Sequence, residues 1–140
     1  MSESTEGLLD TSTVILLGRL DPADLPDIAS ISTITLAELS VGPLLSSTDG
    51  ERATRLAHLQ QAEADFDPIP FDANAARAFG RVAAALRAAG RKPAARVYDA
   101  LIAATAISTD MALFTCNPGD FAGIPDLDLR DVPHPDRGHP

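Results

Sequence analysis

Arg96-Val-Tyr-Asp99-Ala-Leu-Ile-Ala-Ala-Thr-Ala-Ile107 is the stretch that decides how the rest of this chain must fold. It is made of good helix formers and is apolar on nearly every side, and a helix apolar all round is a buried one. A single carboxylate, Asp99, sits inside it. An unpaired carboxylate taken out of water is costly, so a buried one requires a partner or a metal. Two arrangements satisfy it. Asp is favoured in the first turn of a helix, and Arg96 lies one turn back to pair with it. Alternatively, other carboxylates converge on Asp99 and share a cation with it.

Working outward, the buried helix is expected from about Pro93 to Thr109. Before it, Asp72 caps a helix from roughly Ala73 to Ala89, with Phe79, Val82 and Leu86 at helical spacing and Gly90 as its stop. After it, Met111 to Thr115 reads as a strand, Asn117-Pro-Gly119 as a turn, Asp120-Phe121 as a short helical turn, and Leu127 to Val132 as an edge strand. Towards the N-terminus, Gly7 to Asp10 is a short strand, with Thr11, Ser12 or Thr13 capping a helix that continues to about Arg19. Leu20 to Asp27 is mostly loop. Ile28 to Ile34 is rich in β-branched residues and reads as a buried strand. Thr35 then caps a helix with Glu38 three residues on, the capping-box pattern, and Gly42 and Pro43 interrupt it. Asp49-Gly50 marks a turn before an amphipathic helix from about Glu51 to Ala64, and Phe66 to Phe71 holds a short strand through Ile69. Strands alternating with helices predict an α/β fold with a mainly parallel sheet, which binds ligands at the carboxyl ends of its strands.

The chain of 140 residues suits one domain, residues 1–132, followed by a polar, proline-rich tail, 133–140, expected to be disordered. Hydrophobic residues make up 45% but aromatic residues only 4%, so Ala, Leu, Ile and Val must build the core. Cys116 is the one cysteine, which excludes an intrachain disulfide and fits a reducing compartment. The N-terminus is polar and acidic, and no apolar run reaches the ~20 residues of a membrane span. The expectation is a soluble, cytoplasmic protein. A net charge of -9 argues against nucleic acid as a partner, but residues 77–98 carry Arg77, Arg81, Arg87, Arg91, Lys92 and Arg96 and no acid. That segment is either a solvated surface or an anion-facing patch beside Asp99.

Four acids lie near element ends that a parallel sheet would bring to one face: Asp10, Glu38, Asp99 and Asp120, with Asn117 three residues before the last. Two unit charges ~5 Å apart repel by ~3 kcal/mol at an effective dielectric near ~20. A cluster therefore needs raised pKa values or a bound cation. All-oxygen donors suit Mg²⁺ or Mn²⁺, and a hydrated divalent ion in a carboxylate pocket can activate water against a phosphodiester.

Leu8-Leu-Asp10-Thr-Ser12, Thr33-Ile-Thr-Leu-Ala-Glu38-Leu, Tyr98-Asp99-Ala-Leu-Ile-Ala-Ala-Thr-Ala106 and Thr115-Cys-Asn117-Pro-Gly-Asp120-Phe resemble the motifs of PIN-domain ribonucleases. More closely, they resemble those of the VapC toxins of bacterial toxin–antitoxin pairs. The likeness spans about residues 7 to 132. It implies a three-layer PIN-like sandwich with a five-stranded, mainly parallel sheet between helices. It implies a Mg²⁺- or Mn²⁺-dependent endoribonuclease acting on structured RNA such as tRNA or rRNA, a VapB-type antitoxin as partner, and a homodimer and toxin–antitoxin hetero-oligomer. Carried over by position, Asp10 and Asp99 match the principal metal-binding aspartates, and Glu38 matches the catalytic acid and third metal-site residue. Many relatives have Asp where this chain has Asn117, so Asp120 is the alternative fourth acid. Arg87, Arg91 and Arg96 are candidates to grip RNA phosphates, and Ser12 and Thr115 to bond a phosphate oxygen or a water on the metal.

Other chemistries lack their residues. A dehalogenase-like phosphatase needs a second Asp two residues after the first, where Ser12 stands; a receiver domain needs a late lysine, and the only lysine is Lys92. No GxSxG, GxGxxG or P-loop pattern occurs. His58, His134 and His139 are too scattered for a metal-free ribonuclease, and Cys116 reads as a small buried hydrophobe. The rival from another class is a PIN-like module that binds RNA or protein without cutting.

Overall fold

In a computed structural model, which describes residues 5–92 and 96–137, four short strands form one parallel sheet. They are β1 (Glu6–Leu9), β2 (Ile28–Ser30), β3 (Ala112–Thr115) and β4 (Leu129–Asp131), in the order β2-β1-β3-β4. The central pair is in register at Leu8 and Leu113. The helices are α1 (Thr11–Ile15), α2 (Thr33–Leu44), α3 (Asp49–Asp65), α4 (Ala73–Ala88) and α5 (Val97–Ser108).

Alternation along the central strands builds two cores, because successive side chains leave a strand on opposite faces. Leu9, Ile31 and Phe114 meet Val14 of α1, Leu39 of α2 and Ala62 of α3 on one face. Leu8 and Leu113 meet Ile102, Ala103 and Ala106 of α5 on the other. Ala100 and Ala104, on a different side of α5, pack on Ala78, Val82 and Leu86 of α4. The helix is apolar all round because it lies between the sheet and α4. Both sheet faces are thus covered, as a parallel sheet requires. At β1 the packing is tight enough to demand glycine: a Cβ on Gly7 would stand 2.5 Å from the Phe114 ring.

Several boundaries differ from the sequence reading. β2 ends at Ser30, and α2 is capped by Ser32, whose Oγ accepts from the Thr35 N–H at 3.2 Å; Thr35 is already helical. Glu38 consequently lies in the second turn. Pro43 does not interrupt α2, because so near the end it forfeits a single helical hydrogen bond. Thr48 caps α3, which places Asp49 and Gly50 inside its first turn, where the acid favours the helix dipole. Of the α5 span expected to begin at Pro93, residues 93–95 lie outside the described residues, and α5 runs from Val97. Asp72 and Gly90 do act as the cap and the stop of α4. α5 stops in the same manner on Asp110 at φ 57°, with the Met111 N–H on the Ala106 carbonyl at 3.0 Å.

The sheet has four strands among the described residues, not five. The segment expected to supply another makes a single parallel bridge, Ser32 to Ile69, with the Ile69 N–H on the Ile31 carbonyl and the Thr33 N–H on the Ile69 carbonyl, both at 2.9 Å. The ladder stops there because Ser32 passes at once into α2. Of the tail, residues 133–137 are described and 138–140 are not. Val132 is fully buried, Arg19 pairs with Asp136 at 2.5 Å, and the Arg137 N–H meets the His134 carbonyl at 3.0 Å, closing a turn.

Candidate active site

A parallel sheet ends all its strands at one edge, and α2 and α5 present their first turns there. Asp10, immediately after β1, is 3% exposed and caps α1 itself, in place of the Thr11, Ser12 or Thr13 expected. Its Oδ1 accepts the Thr13 N–H at 3.2 Å and the Thr13 hydroxyl. Its Oδ2 accepts the Thr115 hydroxyl at 2.8 Å and the Ser12 hydroxyl at 3.2 Å. These four bonds compensate the burial of the Asp10 carboxylate and fix its orientation at the edge of the sheet.

Glu38 points to the same edge from α2. It accepts the Thr11 hydroxyl at 2.7 Å. Burial pushes its carboxyl above the usual range, the Thr11 bond opposes this, and the charge of Asp10 adds to the rise. Asp99, in the first turn of α5, is pushed up to about 6. Burial is the main cause, followed by the charges of Asp120, Asp10 and Glu38, with Arg96 opposing. Carboxylates from four separate segments therefore act on one another. The expected ion pair of Arg96 with Asp99 forms, at 3.9 Å, but Arg96 is shared with Asp120, which it meets more closely at 2.7 Å. Repulsion by three acids outweighs one shared cation.

The remaining candidates divide. Asp120 supplies the fourth negative charge. Asn117 supplies amide hydrogen bonds: its Nδ2 donates to Ser12 Oγ at 3.0 Å, and its N–H to Thr115 Oγ1 at 2.9 Å. Ser12 and Thr115 are turned towards Asp10. Arg91 donates to the carbonyls of Ala122 at 2.7 Å and Gly119 at 3.2 Å, pinning the turn that holds Asp120. Arg87 is exposed at the end of α4. Cys116 is buried in the core, where burial raises its thiol. Thr11, Thr13 and Arg137 are the polar residues the sequence reading overlooked. A hydroxyl beside a helix start reads as a cap, and here Asp10 has taken that role, which frees Thr11 for Glu38.

Among the described residues, no three His, Cys, Asp or Glu side chains are already drawn together as direct ligands of one ion. The donors nonetheless fit a hydrated Mg²⁺ or Mn²⁺. They are oxygens, they carry excess negative charge, and Mg²⁺ usually keeps several waters and takes only one or two carboxylates.

Comparison with known proteins shows the family to which this fold belongs. The family model described as PIN domain matches residues 8–127. Ribonuclease VapC5 of Mycobacterium tuberculosis is 41% identical over 121 residues, covering 84% of this chain and 87% of that protein. Ribonuclease VapC4 of the same organism is 34% identical over 128 residues, covering 89% and 95%. The crystal structure of VapBC-5 from Mycobacterium tuberculosis, a member of the VapBC family of toxin–antitoxin systems, has a TM-score of 0.79 at 36% identity, covering 91% of this chain and 99% of that one. With a family model matching residues 8–127 and a relative 41% identical over most of both chains, the protein belongs to the PIN-domain family, alongside the VapC ribonucleases.

Proposed function

We propose that this chain is a metal-dependent endoribonuclease of the toxin type, acting on structured RNA such as tRNA or rRNA and neutralised by a VapB-type antitoxin. The observation that carries the reading is the convergence of Asp10, Glu38, Asp99 and Asp120, from four separate segments, at one edge of the sheet, near enough for the other three to act on Asp99. A fold that merely needed Asp99 for stability would not surround it with like charge.

Asp10 and Asp99 would hold the divalent ion, directly or through its waters, with Glu38 beside them, and the ion would supply a Lewis acid for the phosphate charge. Glu38 orients the attacking water and takes its proton, a role suited to a carboxyl above its ordinary range. Asp10 is held rigid by its four donors, so it keeps its place while the charge of the site changes. Arg87, exposed at the end of α4, would meet an RNA phosphate, whereas Arg96 and Arg91 stabilise the Asp120 turn.

Exposed apolar residues offer a surface for the antitoxin. On α2 and just after it, Val41, Leu44 and Leu45 are exposed, the last two by 80% and 71%; Leu56 of α3 and Tyr98 of α5 add to them. Solved structures similar to this one include a member of the VapBC family of toxin–antitoxin systems and a toxin–antitoxin complex from Klebsiella pneumoniae. No helix among the described residues is long and apolar enough to cross a membrane; the cytoplasmic location and the homodimer we propose rest on the likeness to the VapC proteins.

A second reading, RNA binding without cleavage, draws on the absence of a ready-made ligand set among the described residues. Incubating purified protein with tRNA and rRNA in Mg²⁺ or Mn²⁺, with and without EDTA, separates the two. Cleavage abolished by EDTA and by Asp99→Asn supports the nuclease. RNA retained on the protein and left whole in every metal overturns it.

A further inference from the structure

We propose that Arg137, in the C-terminal tail, is a positioning residue of this site, acting on Asp10 through Asn117 and Ser12. The inference rests on the nuclease reading for its effect on cleavage but not for its geometry. Arg137 Nη2 donates to Asn117 Oδ1 at 3.1 Å. Asn117 Nδ2 donates to Ser12 Oγ at 3.0 Å. Ser12 Oγ donates to Asp10 Oδ2 at 3.2 Å. The row joins the tail, the loop after β3, α1 and the end of β1.

Its direction is fixed at both ends. A guanidinium can only donate and a carboxylate can only accept. The amide must therefore turn its oxygen to Arg137 and its nitrogen to Ser12. Ser12, having received that N–H, is left to aim its own proton at Asp10. Without Arg137 the amide is free to flip, and a flipped Asn117 presents an oxygen to Ser12 and draws the hydroxyl proton away from Asp10. The tail is placed for this task by the buried Val132, by the turn from His134 to Arg137, and by the pairing of Asp136 with Arg19. An Asp at position 117 could not transmit the same order, because it has no N–H for Ser12.

The charge of Arg137 could instead act on an RNA phosphate, and the two roles separate in Arg137→Gln, which keeps a donor and loses the charge. The first measurement is on ¹⁵N-labelled, metal-free protein. The side-chain amide of Asn117 is assigned by its loss in Asn117→Ala, and its solvent exchange is compared across variants. Arg137→Ala is expected to speed that exchange at least about threefold, with Arg137→Gln within about twofold of wild type and both melting within a few degrees of it. The second measurement is RNA cleavage in Mg²⁺: Arg137→Ala is expected to lower kcat about three- to tenfold at nearly constant KM, with recovery in Arg137→Gln. An Asn117 amide indifferent to Arg137→Ala overturns the proposal, whether or not the protein cleaves RNA. So does an Arg137→Gln variant as impaired as Arg137→Ala with the loss in KM, which is the mark of a phosphate contact. If wild type cleaves nothing, the nuclease reading fails while the amide exchange still decides this one.

Discussion

Two aspartates stand at the same edge of the sheet in opposite circumstances. At the β1–α1 junction, Asp10 is nearly inaccessible and takes four hydrogen bonds from Thr13, Ser12 and Thr115. At the start of α5, Asp99 is pushed up to about 6 by burial and by three like charges, and Arg96 leans towards Asp120 instead. The first is a charge the fold has built around. The second is a charge the fold tolerates. Such a contrast is what the proposed role of Asp99 in the chemistry requires: a charge kept at a cost in stability, beside a second one that the fold holds in place.

The contrast is sharpest in variants. Both Asp10→Ala and Asp99→Asn should lower RNA cleavage at least about a hundredfold, each removing a charge from the site. Their stabilities should move apart. Asp10→Ala strands buried hydroxyls and a helix N–H and is expected to cost about 2–4 kcal/mol in urea unfolding. Asp99→Asn relieves repulsion and is expected to gain about 1–3 kcal/mol at neutral pH. An Asp99→Asn protein less stable than wild type would erase the distinction drawn here.

The pH dependence follows with its sign. A carboxyl whose folded value is raised binds protons more readily in the folded state, so stability falls as pH rises from about 4 to about 6 for Asp99. Acidifying from pH 7 to pH 5 should therefore narrow the advantage of Asp99→Asn over wild type. A gap that widens on acidification would contradict the raised carboxyl. Mg²⁺ should raise the melting temperature of wild type and do little for Asp99→Asn, because a cation offsets the same repulsion. The smallest effect is expected at Ser12→Ala, which loses the longer of the two bonds to Asp10 Oδ2 and the part-buried bond from Asn117 Nδ2, and should cost roughly 1 kcal/mol.

Much of this arrangement was legible in the residues. The all-round apolar face of α5 announced burial between two layers, and its one carboxylate pointed to the others. Caps and stops with a single contender, Asp72 and Gly90, were read correctly. Where several capping residues stood in a row the choice was not local. Ser32, Thr33 and Thr35 all suit a helix start, and Ser32 takes the role because Ile31 is held fully buried by the sheet and by Ile69. The same holds at Asp10, Thr11, Ser12 and Thr13, where the acid won the cap. The partners of Asp10 and Asn117 were hidden for a different reason: Thr115 and Arg137 are far away in the chain, and no spacing rule connects them.

The lone bridge at Ile69 has a bearing on how copies of this protein meet. Pro68 and Pro70 flank it, and neither has an N–H to offer. A molecule approaching that margin finds no run of donors with which to add a strand of its own. At this margin of the sheet, edge-to-edge pairing is thereby disfavoured, and a partner arriving there has side chains rather than backbone to meet.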